Sequence, residues 1–286
     1  MGHHFVQQKY LAGFATDDKL DCVFQFDKTT REFSSSPIHV SKVAQKQKFN
    51  DDDVEIDLGP RIELPNNPVL EKLRSHDLSL SKNERLIFAR YIAAQWRRVP
   101  TARELAESIA KRSLTQAASH IEEQIVDAQN SGAISKLKAE SLSNSVASCA
   151  SQFSNTLPPP IHREIKSPFP TTRMVEAVLQ MVWRFVIADK RNTFVTSDNP
   201  VFTFQDTGLK GSTAELVFPI SSKLALFASN TPLDRRGVRN KNQSLVKLAN
   251  RRIIAAAGRF VFSPSRFTWI AKISRKTPPT NRLTWR

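Results

Sequence analysis

Ser81-Lys82-Asn83-Glu84 and, further on, Thr101-Ala102-Arg103-Glu104 share one pattern, a hydroxyl followed three residues later by a carboxylate. At that spacing the Ser or Thr oxygen takes the backbone N–H of the Glu, and the Glu reaches back to the amide of the hydroxyl residue. Each tetrapeptide therefore predicts a helix start. Pro100 separates the two helices, because proline disrupts a helix interior and restricts the residue before it. Around them residues 66 to 156 read as helical. Pro68 after Asn66-Asn67 marks a first helical position. The helix after Pro100 carries Leu105, Ile109, Ala117, Ile121 and Ile125 on one face and runs to Ser131-Gly132. A polar, Ser-rich third helix spans Ile134 to Phe153. Leu157-Pro158-Pro159-Pro160 then predicts a stiff extended connector.

Both flanks of this helical middle read as strands. On the N-terminal side these are Val23 to Phe26, Glu32-Phe33 and Pro37 to Val40, with a polar turn from Asp27 to Arg31. Asp53, Glu55 and Asp57 alternate with Val54, Ile56 and Leu58, the period of a half-buried strand. No glycine turn or closing Glu accompanies these acids, so a solvated strand face is favoured over calcium. On the C-terminal side an amphipathic helix from Thr172 to Lys190 precedes strands at Thr193–Thr196, Val201–Phe204, Glu215–Pro219 and Lys223–Ala228. Asn240 to Ala257 forms a helix closed by Gly258, before strands at Arg259–Ser263 and Phe267–Ile273. The expectation is an α+β fold, its helical middle packed against a mixed or antiparallel sheet built from N- and C-terminal strands. One domain covers residues 1–286, with sections 1–60, 66–156 and 172–286.

Composition narrows the function classes. Eight glycines, none in a phosphate-cradling loop, exclude a Walker-type or dinucleotide fingerprint. Cys22 and Cys149 lie far apart with no Cys-x-x-Cys spacing, which argues against a thiolate metal site and for a reducing, cytoplasmic compartment. The start of the chain lacks a signal-peptide pattern, and no apolar run nears the ~20 residues of a membrane span. No cofactor or metal is expected. The formal net charge is +15, yet Arg235 to Arg286 holds fourteen Lys and Arg and no Asp or Glu. A single-sign end of this kind repels itself and calls for a polyanion, nucleic acid first among them.

Three short blocks add a resemblance. His4-Phe5-Val6-Gln7-Gln8-Lys9-Tyr10-Leu11-Ala12-Gly13-Phe14, Gln95-Trp96-Arg97-Arg98-Val99-Pro100, and Thr196-Ser197-Asp198-Asn199-Pro200-Val201 followed by Phe218-Pro219-Ile220-Ser221 resemble domain-of-unknown-function family 4238. The resemblance spans nearly the whole chain. It implies a single domain and marks positions, Tyr10 among them, without a reaction.

The candidate catalytic residues are His4, Arg97, Arg98 and Asp198. His4 is the best acid–base candidate, since histidine titrates near neutral pH; the competing reading is a solvent-exposed side chain or one that anchors the N-terminal segment by a backbone hydrogen bond. Asp198, with Ser197 and Asn199, lies in a loop between strands, where sites are built and where Asp also caps its own turn. Arg97, Arg98 and Arg103 bracket a helix end and a helix start, an arrangement suited to phosphate or to dipole compensation. Arg235, Arg236, Arg251, Arg252, Arg259 and Lys272, with Asn250 in support, are the expected nucleic-acid contacts. The leading expectation is a nucleic-acid-directed protein, RNA before DNA, with metal-independent RNA cleavage through His4 and Arg97 or Arg98. The alternatives are a non-catalytic nucleic-acid-binding module, or an enzyme on a small nucleotide or phosphorylated substrate whose basic end meets a protein partner.

Overall fold

The computed structural model of the chain describes residues 2–204, 208–230 and 242–276. The chain is α+β and divides into two compact units, one made of the stretches up to Thr101 and from Pro168 on, the other of Ala102–Ser167. The larger unit opens with β1 (Gly2–His4), α1 (Gln8–Leu11), β2 (Cys22–Asp27), β3 (Glu32–Phe33), β4 (Ile38–His39) and β5 (Gln45–Gln47). Then come α2 (Asp52–Leu58), a π-helical turn at Gly59–Glu63, α3 (Leu64–Arg74) and α4 (Lys82–Arg97). α5 (Pro100–Asn130) begins in the larger unit and runs into the smaller one, which also holds α6 (Lys136–Asn155) and α7 (Pro159–Lys166). The larger unit resumes with α8 (Thr172–Gln180), β6 (Val182–Ile187), β7 (Thr196–Ser197), β8 (Phe202–Phe204), β9 (Glu215–Pro219) and β10 (Leu224–Ser229). It closes with α9 (Asn242–Ala256), β11 (Phe260–Ser263) and α10 (Thr268–Lys276).

The named strands pair antiparallel throughout. β1 pairs with β5; β6-β10-β9-β8 form a four-stranded sheet; β3-β2-β11-β7 form a third, with β4 also on β2. Pairing of β2 with β11, Phe26 opposite Val261, joins the two ends of the chain in one sheet, as the strand patterns at both ends predict. Phe26 and Val261 pack there with Val195, Ile254, Ala257 and Ile270. β10 is buried along its whole length. The Ser81 capping box forms as expected: Glu84 N–H donates to Ser81 Oγ (3.2 Å) and Ser81 N–H to Glu84 Oε2 (2.7 Å).

Several expectations are corrected. Residues 53–58 belong to helix α2, because the same alternation places Val54 and Leu58 four apart and the acidic run at Asp51–Asp53 favours a helix N-terminus. Pro68 lies inside α3, which starts at Leu64 with Pro65 in the early position. The Thr101 box does not form, since Pro100 itself opens α5 and leaves Thr101 inside the helix, its Oγ1 without a hydrogen bond. On α5, Leu105, Ile109 and Ile121 are exposed and only Ile125 of the expected apolar face is buried. The triple proline starts α7, where a first-turn proline loses no hydrogen bond. The helix from Thr172 stops at Gln180, and the β-branched and aromatic run from Val182 makes β6. Only Thr196-Ser197 of the Thr193 region pairs as a strand. Phe267–Ile273 is not a strand; residues from Thr268 form α10, burying Ile270 and exposing Lys272.

Candidate functional site

The second and third resemblance blocks each send a contact to the N-terminal segment that holds the first, the second through Arg98 and the third through Thr196 and the Pro219 carbonyl. Tyr10 donates its hydroxyl to Pro219 O (2.8 Å) and receives that of Thr196 (2.7 Å), tying the first block to the third. Burial pushes the Tyr10 hydroxyl far up, so it acts as a neutral donor. Arg74 fastens the same segment, donating to Lys9 O (3.0 Å), Tyr10 O (2.8 Å) and Ile220 O (3.2 Å). Gly13 is required beneath it, because a Cβ there would come 2.3 Å from Arg74 Nη2.

Further along, Tyr91, Gln95 and Arg98 follow one another at one helical spacing (i, i+4, i+7), and all are buried. Tyr91 donates to Gln7 Oε1 (2.7 Å), whose amide donates to Asn67 Oδ1 (3.0 Å). Arg98 donates to Glu63 Oε1 (2.6 Å) and to the backbone carbonyl of His4 (2.5 Å). Asn66 and Gln95 are fully buried, and neither amide has a hydrogen bond to the protein. Such groups ordinarily cost about 1–3 kcal/mol each, so this cluster is expensive polar machinery for a core. The sequence signal for it was the polar residue in each turn of an otherwise apolar helix face. Glu63, Asn66, Asn67, Tyr91, Gln95, Gln7 and Arg74 were not foreseen.

His4 is half-buried at the edge of this cluster. Its Nε2 lies 3.1 Å from Ser41 O, a pure acceptor, so Nε2 carries the proton and Nδ1 accepts from Gln8 Nε2 at 3.4 Å. Burial lowers its pKa and the Arg98 charge adds to this, against the Ser41 bond and the carboxylates of Glu55 and Glu63. The imidazole is therefore neutral at pH 7 with its lone pair on Nδ1. Arg97 turns to Met174 (Nη1–Sδ 3.9 Å) and does not share the Arg98 contact with His4. Arg103, buried in the smaller unit, donates to Lys166 O (2.7 Å).

Asp198 belongs to a second cluster. Its carboxylate accepts the backbone N–H groups of Gly258 (2.8 Å), Arg259 (2.7 Å) and Phe260 (2.9 Å) as the chain leaves α9 and enters β11. Burial pushes its pKa up, while these three donors and the Lys28 ammonium pull it down. Lys28 Nζ donates to Ile254 O (3.0 Å) and Ala257 O (2.5 Å), and Asn199 Nδ2 to Ala256 O (3.0 Å), so the last carbonyls of α9 are also capped. Ser197 Oγ donates to Asn199 O (2.8 Å) and shapes this turn. Asn250 holds the incoming strand from the other side, accepting from Val195 N (3.0 Å) and donating to Thr193 O (2.8 Å). His4 and Asp198 are thus anchored in different clusters.

The expected nucleic-acid contacts divide. Arg235 and Arg236 lie outside the described residues. Arg252 pairs with Glu215 (2.5 Å) and stacks over Phe202, and Arg259 pairs with Asp27 (2.7 Å). Arg251 and Lys272 are exposed, as are Lys247 and Arg275, and among the described residues no carboxylate lies within ion-pair distance of these four. They sit on α9 and α10, which pack on one another. Among the described residues, no group of three or more His, Cys, Asp or Glu is placed to hold a metal ion, and no helix is long and apolar enough to cross a membrane.

Residues 2–267 match the model of the family described as protein of unknown function, DUF4238, and the chain belongs to that family. No curated protein and no solved structure matches it.

Proposed function

We propose that this member of the DUF4238 family is directed to nucleic acid, RNA in preference to DNA, through cations presented by α9 and α10. The observation that carries this reading is the set Lys247, Arg251, Lys272 and Arg275, four exposed charges without a carboxylate partner among the described residues, in a stretch with no acidic residue at all. Charges spent on internal pairs, such as Arg252 and Arg259, contribute less to a polyanion. A cytoplasmic setting fits the two free cysteines, Cys22 and Cys149.

Counterion release supplies the test. Neutralising four phosphates of a single strand gives a slope of roughly −3 in log affinity against log salt. Anisotropy of labelled oligouridylate, titrated at several salt concentrations, should show at least that slope, and Arg251→Gln with Lys272→Gln should make it shallower by about 1.4. A slope near zero, or one unmoved by the double substitution, overturns the reading.

A second reading, metal-independent RNA cleavage, is favoured by one observation: His4 is neutral, with its Nδ1 lone pair covered, among the described residues, only by the long Gln8 contact, and Arg98 lies beside it. In that chemistry Nδ1 takes the proton of the ribose 2′-hydroxyl, the freed oxygen attacks the adjacent phosphorus, and the 5′-oxygen leaves with a proton from solvent. Arg98 stabilises the charge that develops on the phosphoryl oxygens. Chelator-resistant products that vanish in His4→Ala, with oligouridylate affinity retained, would support it; retention without products leaves the binding module.

A further inference from the structure

β11 leads into α10 through Pro264-Ser265-Arg266-Phe267, and hydrogen bonds fix where that turn delivers its aromatic residue. Ser263 Oγ donates to Ser265 O (2.8 Å) and Phe267 N–H to the same carbonyl (3.0 Å), while Ile270 N–H donates to Phe267 O (2.9 Å). Phe267 is thereby held at the mouth of the helix, its ring stacked on that of Trp269 with centroids 5.5 Å apart and planes 22° from parallel. Helix geometry places Trp269 at a border. One residue on, about 100° round the axis, Ile270 is fully buried in the cluster around Phe26 and Val261; three residues on, about 60° the other way, Lys272 is exposed. Arg275 follows Lys272 at the same spacing on the exposed side. Both rings pack against the rim of the cluster and stay partly exposed.

The rim of a core needs apolar bulk, and aliphatic side chains supply it. Two stacked rings beside Lys272 add planar π faces next to cations, in a stretch without a single carboxylate. A polynucleotide carries the complementary pair of features, phosphates along a backbone and bases with flat faces. We propose that the Phe267–Trp269 stack is the base-stacking platform of the α9 and α10 surface, so that the ligand is single-stranded RNA with unpaired bases and not a duplex. This rests on the reading that α9 and α10 meet nucleic acid. Arg251, Lys272 and Arg275 then follow the phosphates, while the rings grip a base whatever its identity, because every base has a π face. Duplex RNA keeps its bases stacked on one another and is bound through backbone and shape, which leaves the platform unused.

Stacking one base on an aromatic ring raises affinity roughly 5- to 150-fold. Anisotropy should therefore show labelled oligouridylate bound more tightly, by a factor in that range, than abasic RNA of the same length and charge. Trp269→Leu should lose this difference while keeping the affinity for abasic RNA and the salt slope, and the retained abasic binding shows that the variant is folded. Trp269→Phe should keep most of the preference. Oligouridylate should quench tryptophan fluorescence more in the parent than in Trp269→Phe, whereas duplex RNA should not separate the two. Arg251→Gln with Lys272→Gln should do the reverse, flattening the salt slope on both strands with the preference for bases intact. A slope near zero in the parent defeats nucleic-acid binding itself. A steep slope with equal affinity for oligouridylate and abasic RNA overturns the stacking platform alone. So do a preference for bases that Trp269→Leu leaves intact, and oligouridylate quenching that is equal in the parent and Trp269→Phe.

Discussion

Replacing Asp198 by alanine removes the acceptor of three backbone N–H groups at once and leaves the Lys28 ammonium beside α9 without its counter-charge. The three bonds measure 2.8, 2.7 and 2.9 Å, and the carboxylate is buried. Hydrogen bonds to a charged group contribute about 1.5–3 kcal/mol each, but Gly258 and Arg259 are exposed, so water takes over part of what is lost. Breaking one partner out of a buried charged cluster costs about 3–5 kcal/mol, and that is the expected loss for Asp198→Ala. For a chain of this size that corresponds to a fall in melting temperature of roughly 10 °C. Lys28→Met should cost less, because it strips caps from α9 but leaves the Asp198 clamp on Gly258, Arg259 and Phe260. The double variant should cost less than the sum of the two single ones, since each removes part of the same cluster. Thermal melting by circular dichroism, with a urea titration whose slope stays constant, measures all three. An Asp198→Ala protein that melts within about 2 °C of the parent, or strictly additive single effects, would refute the clamp. Loss of the proposed RNA cleavage in such a stable variant would support a catalytic role for Asp198.

His4 has a depressed pKa in the fold, so its stabilising contribution is complete above the ordinary histidine value of about 6.5 and is lost as pH falls through the lower folded value. The parent should lose stability from pH 6.5 downward faster than His4→Asn, and coincident stability–pH curves would contradict the burial argument. Gln95→Met keeps side-chain length while removing an amide that has no protein hydrogen bond, and it should raise stability by about 1–3 kcal/mol in urea unfolding. A loss of stability instead would show that the amide is satisfied within the fold.

The legible parts of the sequence were those set by local chemistry. The Ser81 box, the hairpin around Asp27 to Arg31 and the apolar strands β9 to β11 each follow from residues near in sequence. Thr101 misled because Pro100 competed for the same helix start and won. Residues 53–58 misled because a polar–apolar alternation of six residues fits a strand and also spaces Val54 from Leu58 by one helical turn. Arg252 and Arg259 look in sequence like Arg251, and only the fold shows that Glu215 and Asp27 neutralise the first two. Glu63, Asn67 and Gln7 could not be found locally, since their partners lie tens of residues away.

The family blocks have a physical reading that bears on where function can lie. Tyr10, Thr196 and the Pro219 carbonyl form one buried knot, Asp198 and Asn199 cap the end of α9, and Gly13 makes room for Arg74. In this chain these contacts hold the fold, so the blocks have a structural role whatever else they do. Polar groups that the fold leaves without an evident task are the better place to look for chemistry. Among the described residues these include the buried amides of Asn66 and Gln95, and the exposed Lys247, Arg251, Lys272 and Arg275 of α9 and α10, which have no carboxylate partner there. Retaining four unpartnered amide atoms in a core costs stability that apolar side chains of the same shape would restore. A surplus of exposed like charge likewise destabilises the compact state through self-repulsion. Both are costs without structural return in the chain alone, and the polyanionic partner proposed for α9 and α10 would offset the second.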